Sequence, residues 1–325
     1  MKLTKPQMMT EAASARGPSN IILQTLIFFA VFVVSAIVQM IFIFPLMFLS
    51  IIAEITPYTD VTEVDGLVNE LIFSNEYLLV MLFSTFLSAA MVFVYCLCIE
   101  RRSLGSMGVR KKSAFGHYFA GLGVGFGLFA LCFFLCAVFD GLRIESVKYD
   151  INYGIFALFF LGFVFQGAQE EFLCRGYFMN TLGGKHSVYV AVAVSSVAFS
   201  LLHLMNEGVS VLGLVNIALY GVLMGFYMIC FDNIWGACGI HTMWNFAQGC
   251  IFGVLVSGQR IGDPIVHPVI NENMTLLNGG DFGIEGGIAC TAVLLLGIAA
   301  LLFYLKAKES RQTAHEKNEI RSVEE

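Results

Sequence analysis

Residues 153–182 read YGIFALFFLGFVFQGAQEEFLCRGYFMNTL. A bilayer core is crossed by about 20 mostly apolar residues in one helix. This run is long enough, yet Glu170, Glu171 and Arg175 sit inside it. The rest of the chain identifies the solvent. Hydrophobic residues make up 58% of the 325 residues and charged residues 13%, about half the charged share of a soluble domain. Mean hydropathy is +0.79. Too few charges remain to coat a globule of this size, so lipid is the medium that fits. Similar runs occur at Ile21–Phe44, Tyr77–Ile99, Phe115–Phe139, Ser187–Leu204, Val211–Phe231, Ile234–Ser257 and Gly286–Leu305. Together with Tyr153–Leu182 they predict about eight spans. The first run continues past Pro45 to Ile52, which leaves its end open. No period-two pattern competes with them, and the expected fold is an all-α polytopic helix bundle.

Basic residues orient the bundle. Lys2, Lys5, Arg16, Arg101, Arg102, Arg110, Lys111, Lys112, Lys185, Lys306, Lys308, Arg311, Lys317 and Arg321 fall on one side of the predicted spans; only Arg143, Lys148 and Arg260 fall on the other. Both termini are therefore expected in the cytoplasm. The segment Ala53–Glu76 is acidic without a basic residue, as an outer loop should be. The chain divides into a cytoplasmic segment 1–20, accessory helices in 21–152, a polar-motif core in 153–257, and an outer loop, last helix and charged tail in 258–325. The tail is expected to fray or to continue as helix. The net charge of −6, with basic residues scattered, speaks for no nucleic-acid partner. Nine cysteines lie in or beside apolar runs, and no CxxC pair marks a zinc knuckle.

Charge at membrane depth costs at least ~2.5–3.5 kcal/mol, so the polar residues within the spans carry the information. Glu171 and Arg175 are i and i+4 and can pair along one face. Glu170 points about 100° away and is left without that partner. The fifth run places Phe199 one turn before His203; the seventh places His241 and Asn245 one turn apart. At ~1.5 Å per residue, Glu170, His203 and His241 lie ~18, ~24 and ~11 Å from the inner helix ends. Each feature alone has a plain structural reading. Glu171–Arg175 is a helix-bracing pair, a lone membrane histidine is an interhelical hydrogen-bond donor, Asn245 is polar glue and Phe199 is core. A lone Glu170 also suits the coupling carboxylate of a transporter. Co-occurrence in this order is what favours chemistry.

Glu-Glu-x-x-x-Arg, then Phe-x-x-x-His, then His-x-x-x-Asn resembles the motif series of the CPBP intramembrane proteases, the CAAX prenyl endopeptidase (type II) and Abi bacteriocin-immunity relatives. Glu170 to Tyr177, Ser195 to Leu204, and Gly221 to Gly225 with Trp235 and His241 to Asn245 resemble successive family blocks. The resemblance covers roughly Gly154 to Gly249, with a further likeness at Arg101 to Val109. Asp232-Asn233 departs from it, since relatives often carry a basic stretch there; this turn is expected to lie away from the chemistry.

The resemblance implies hydrolysis of a peptide bond in a membrane-associated peptide or protein. Amide hydrolysis needs an activated water and a stabilised oxyanion. On this reading Glu170 is the base, His203 holds the water, and His241 and Asn245 donate to the oxyanion. Glu171 and Arg175 support Glu170. The family is often called metal-dependent. Glu170, His203 and His241 are a set that zinc accepts, but no His-Glu-x-x-His is present, and the residues favour glutamate and water without a metal. Site-2 chemistry lacks its His-Glu-x-x-His, presenilin chemistry lacks two intramembrane aspartates, with Asp281 in an outer loop, and rhomboid chemistry lacks the glycine-rich turn, since Ser195 and Ser196 lie on an apolar helix. The alternatives are a transporter coupled through Glu170, which would show inverted repeats, and a non-catalytic immunity protein. A bacterial plasma membrane is the expected location. Asn273-Met274-Thr275 reads as a chance sequon, and His117, His267 and His315 have no motif partners.

Overall fold

The computed structural model describes residues 4–54, 61–72 and 74–324. Lys2, Glu325 and residues 55–60 and 73 of the predicted acidic loop lie outside them. Six helices are long and apolar enough to cross a membrane: Ile21–Ile52, Asn75–Ile99, Ala114–Val138, Tyr153–Lys185, Val211–Phe231 and Ile288–Arg311. Many of their large apolar side chains are exposed, among them Phe115, Phe303 and Ile22, as a surface bathed in lipid requires.

In chain order the helices are α1 (Gln7–Ala12), α2 (Ile21–Glu54), α3 (Val61–Ile72), α4 (Asn75–Val94), α5 (Ala114–Val138), α6 (Tyr153–Glu171), α7 (Asn180–Lys185), α8 (Val188–Leu201), α9 (Val211–Phe231), α10 (Trp235–Phe246), α11 (Thr275–Asn278) and α12 (Ile288–Glu324). α2 runs straight through Pro45. The tail continues as helix within α12. Two predicted spans are shorter than expected. α8 covers 14 residues, about 21 Å, because the chain turns at Leu202. The seventh ends at Ile251 after a π-helical turn, Ala247–Ile251. α10 is packed inside the protein, and α8 buries one face while Tyr189, Val197 and Leu201 stay exposed on the other. Side-chain oxygens start the helices: Asn152 accepts from Gly154 and Ile155, Ser187 from Val190, Ser210 from Gly213, filling donors that a helix N-terminus leaves open.

The segments read as outer loops contain structure. Leu142–Val147 (β1) pairs antiparallel with Val266–Ile270 (β2), with an irregularity between Ile144 and Ser146. Asn216 of α9 donates to the Glu285 and Gly287 carbonyls and accepts from Thr291, which ties the outer loop to the start of α12.

At the opposite end, the basic loops and chain ends meet. Lys5 donates to the Gly184 carbonyl, Lys185 to Gly17 and Lys308 to Cys230. Arg110 bridges Glu11 and Asp232 at 2.9 Å each, and Asp232 also accepts the Met8 amide. Arg102, grouped by sequence with the surface charges of this end, is wholly buried. Between α6 and α7 the chain makes a π-helical turn, Phe172–Met179. Its wider winding shifts backbone hydrogen bonding, and the Arg102 guanidinium donates to the Gly176 and Tyr177 carbonyls at 2.8 and 3.3 Å. Glu100 neutralises it at 3.0 Å. Burial pushes the Glu100 carboxyl up, against the pull of Arg102.

Candidate active site

Close backbone approach sets the frame. Gly121 and Gly125 of α5 lie against the backbone of Gly236 and Ile240 in α10, a small-residue crossing of the kind that lets membrane helices touch. Gly167 of α6 faces α10 from the other side, where an added Cβ would lie 2.9 Å from the Thr242 nitrogen. α10 is thereby clamped with His241 and Asn245 beside Gln166 to Glu171.

Glu171 and Arg175 are fully buried and paired at 3.0 Å, the i, i+4 contact expected from the sequence. The pair does more than brace one helix. The same Glu171 Oε1 lies 2.8 Å from His241 Nδ1, and the Arg175 guanidinium stacks 4.1 Å from the Phe199 ring centroid. A carboxylate, a guanidinium and an aromatic face thus join α6, α8 and α10 in one buried chain. Breaking such a pair by removing one partner costs ~3–5 kcal/mol, because the other charge is stranded.

Glu170 occupies a different environment. Its side chain is 22% exposed. Gln166 Nε2 donates to its Oε1 at 2.5 Å, and Asn245 Nδ2 donates to Gln166 Oε1 at 2.9 Å. Oε2 has no hydrogen-bond partner among the described residues and lies 3.6 Å from His241 Nε2. One oxygen is therefore held and the other is offered. The tautomers follow from the acceptors. A carbonyl can only accept, so His203 Nδ1, 2.9 Å from the Phe199 carbonyl, carries its proton and leaves Nε2 as a lone pair. His241 Nδ1–H donates to Glu171, so its Nε2 bears a proton only as imidazolium, with Glu171 as counterion.

Glu170, Phe199, His203, His241 and Asn245 line one cavity of about 280 Å3. Glu171 and Arg175 stand behind it. His203, expected within the fifth helix, sits in the turn just past Leu201. Three lining residues were missed by sequence reasoning. Gln166 was visible one turn before Glu170 and was given no role. Tyr220 packs its ring 5.4 Å from His241, and its buried hydroxyl has no partner among the described residues; a tyrosine in an apolar run gives no signal. Glu285, read as loop, is buried and accepts from Trp244 Nε1 at 2.9 Å and from the Ser257 amide at 2.8 Å.

The zinc set named from sequence can be tested on geometry. The Nδ1 contacts of His203 and His241 leave each Nε2 free to coordinate, but among the described residues no three His, Cys, Asp or Glu side chains are placed to hold a metal ion. As arranged, the residues do not fit a three-ligand metal centre.

Residues 152–247 match the family model described as Rce1-like, type II CAAX prenyl endopeptidase Rce1-like. The match spans α6 to α10, the stretch on which the motif resemblance rests. No curated protein and no solved structure matches the chain.

Proposed function

With residues 152–247 an Rce1-like, type II CAAX prenyl endopeptidase segment in a multi-pass helix bundle, we propose that the protein is an intramembrane endopeptidase acting on a membrane-associated peptide or protein. The observation that carries this reading is the split treatment of Glu170 beside the cavity that it lines with His203 and His241: Oε1 is fixed by Gln166, while Oε2 is left without a hydrogen-bond partner among the described residues, 3.6 Å from His241 Nε2.

A water in this cavity, accepted by His203 Nε2 or Glu170 Oε2, gives a proton to Glu170. The resulting hydroxide attacks the scissile carbonyl carbon. Negative charge develops on the carbonyl oxygen, where His241 Nε2–H and the remaining Asn245 amide hydrogen donate. Collapse of the tetrahedral intermediate breaks the C–N bond, and Glu170 returns its proton to the departing amine. A preorganised donor of this kind is worth ~2.7–4 kcal/mol. Glu171 holds the orientation of His241 and balances its charge. No step passes through a metal.

The compact loops fit a bacterial plasma membrane protein. A transporter would need Glu170 to move between two solvent-facing states, whereas Gln166 and Asn245 hold it fast. The test uses purified protein and a library of quenched fluorescent peptides bearing apolar flanks. Glu170→Gln and His203→Ala should each abolish cleavage at unchanged protein yield. Full cleavage by Glu170→Gln would remove the proposed base.

A further inference from the structure

The catalytic cavity opens away from the basic end of the bundle. Its lining descends from Asn206, Ser257 and Gln259, in the loops after α8 and α10, down to Glu170 and Leu173. None of its lining residues belongs to the loops 100–113, 183–187 or 232–234. Below Leu173 the way is closed. Every residue of the π turn Phe172–Met179 is buried, and the Arg102 guanidinium fills the space beneath Gly176 and Tyr177. The mouth is held in shape by Asn206 Nδ2, which donates to the Ser257 carbonyl at 3.0 Å, and by Glu285 on Ser257. Gln259 at its rim is exposed.

The charges lining the cavity are equally one-sided. Glu170 and Glu285 are acidic, both Glu285 oxygens are engaged, and no lysine or arginine lines the wall. A terminal carboxylate brought to Glu170 would meet another carboxylate, and the one cation of the lining, the His241 imidazolium, already has Glu171 as its counterion. Apolar walls from Phe163, Leu202, Ile217 and Val256 surround the polar floor. Phe32 is shared with an open apolar groove along α2 that climbs to Pro45, toward the same end as the mouth.

We propose that the substrate is a membrane-tethered chain whose cleavable segment has already been exported: it enters from the non-cytoplasmic face and is cut at an internal bond with apolar or neutral flanks, not at a cytoplasmic C-terminal tail. This rests on the protease reading for the cutting, and on the basic loops marking the cytoplasmic side for the direction.

Thiol labelling separates the two. In a Cys98→Ser, Cys290→Ser background, which removes the one exposed native thiol and the one that lines the cavity, single cysteines are placed at Asn206, at Glu170 and, as a reference for the basic end, at Lys111. The probe is the membrane-impermeant reagent 2-sulfonatoethyl methanethiosulfonate, applied to membrane vesicles of each orientation. Asn206→Cys and Glu170→Cys should react from the outer face only, and Lys111→Cys from the cytoplasmic face only. Leu202→Cys replaces Glu170→Cys if that variant does not accumulate. Cavity cysteines that react from the Lys111 face, or from neither face while Gln259→Cys reacts, overturn the proposal, as does Lys111→Cys reacting from outside. Labelling needs no turnover, so an inactive protein with outer-face labelling sinks the protease reading alone. For any quenched peptide the protein cleaves, amidating its C-terminus should leave the rate unchanged; dependence on a free carboxylate overturns the internal-bond part.

Discussion

Asn245 touches Glu170 only through Gln166, and a double-mutant cycle can measure that relay. Gln166→Ala removes the 2.5 Å donor to Glu170 Oε1. A hydrogen bond to a charged group is worth ~1.5–3 kcal/mol, or about 10- to 150-fold in kcat/KM if the carboxylate loses its aim. Asn245→Ala removes the 2.9 Å bond to Gln166, a neutral bond worth ~0.5–1.5 kcal/mol, together with any direct donation to the oxyanion. If part of the Asn245 effect passes through Gln166, that part is absent once Gln166 is alanine. The double variant should then be less impaired than the product of the singles, by ~1 kcal/mol or about fivefold. The assay is kcat/KM on one quenched peptide for the four proteins, with circular dichroism and yield confirming the fold. Strict additivity, within about 0.5 kcal/mol, would refute the relay and leave Asn245 as a purely independent donor.

Two further outcomes follow from the same geometry. Arg175→Met should leave the buried Glu171 with only its His241 contact and take the guanidinium off Phe199, at a cost of up to ~3–5 kcal/mol, and lower the thermal midpoint; a midpoint equal to that of the parent would show that Arg175 is not holding the turn after α6 to α8. Because the residues do not converge on a metal, a strong chelator should leave cleavage intact and metal content should be far below one per chain; stoichiometric zinc lost together with activity in Glu170→Gln would reverse this.

The helices were legible because lipid demands long apolar runs, and runs such as Val211–Phe231 return as helices with the same ends. α8 and α10 were overestimated for a physical reason. Hydropathy reports burial in any apolar medium; α10 is buried in protein and α8 is buried on one face, so neither apolar run measures a bilayer crossing. The motif residues were legible because charge inside a span is costly, which made Glu170, Glu171 and Arg175 conspicuous. Their partners were harder to see. Which carboxylate faces His241 depends on how α10 crosses α6, and that crossing is set by Gly121, Gly125 and Gly167, whose spacing carries no label of its partner. Glu285 was hidden because an acid in an outer loop looks solvated until Trp244 and Ser257 are seen to enclose it. The pairing of β1 with β2 joins segments more than a hundred residues apart, beyond the reach of any local pattern.

Arg102 leads two lives during biogenesis. It leaves the ribosome before α6 exists. At that stage it has no Gly176 or Tyr177 carbonyl to bind, and its charge stays at the headgroups, where it resists translocation and sets the direction of the helices on either side. When α6 arrives and winds into its wide turn, the same guanidinium is drawn out of water and becomes the clasp beneath the turn. Docking of α6 is therefore recorded chemically at one site: an incomplete bundle still displays Arg102 at the membrane surface, and a finished one buries it.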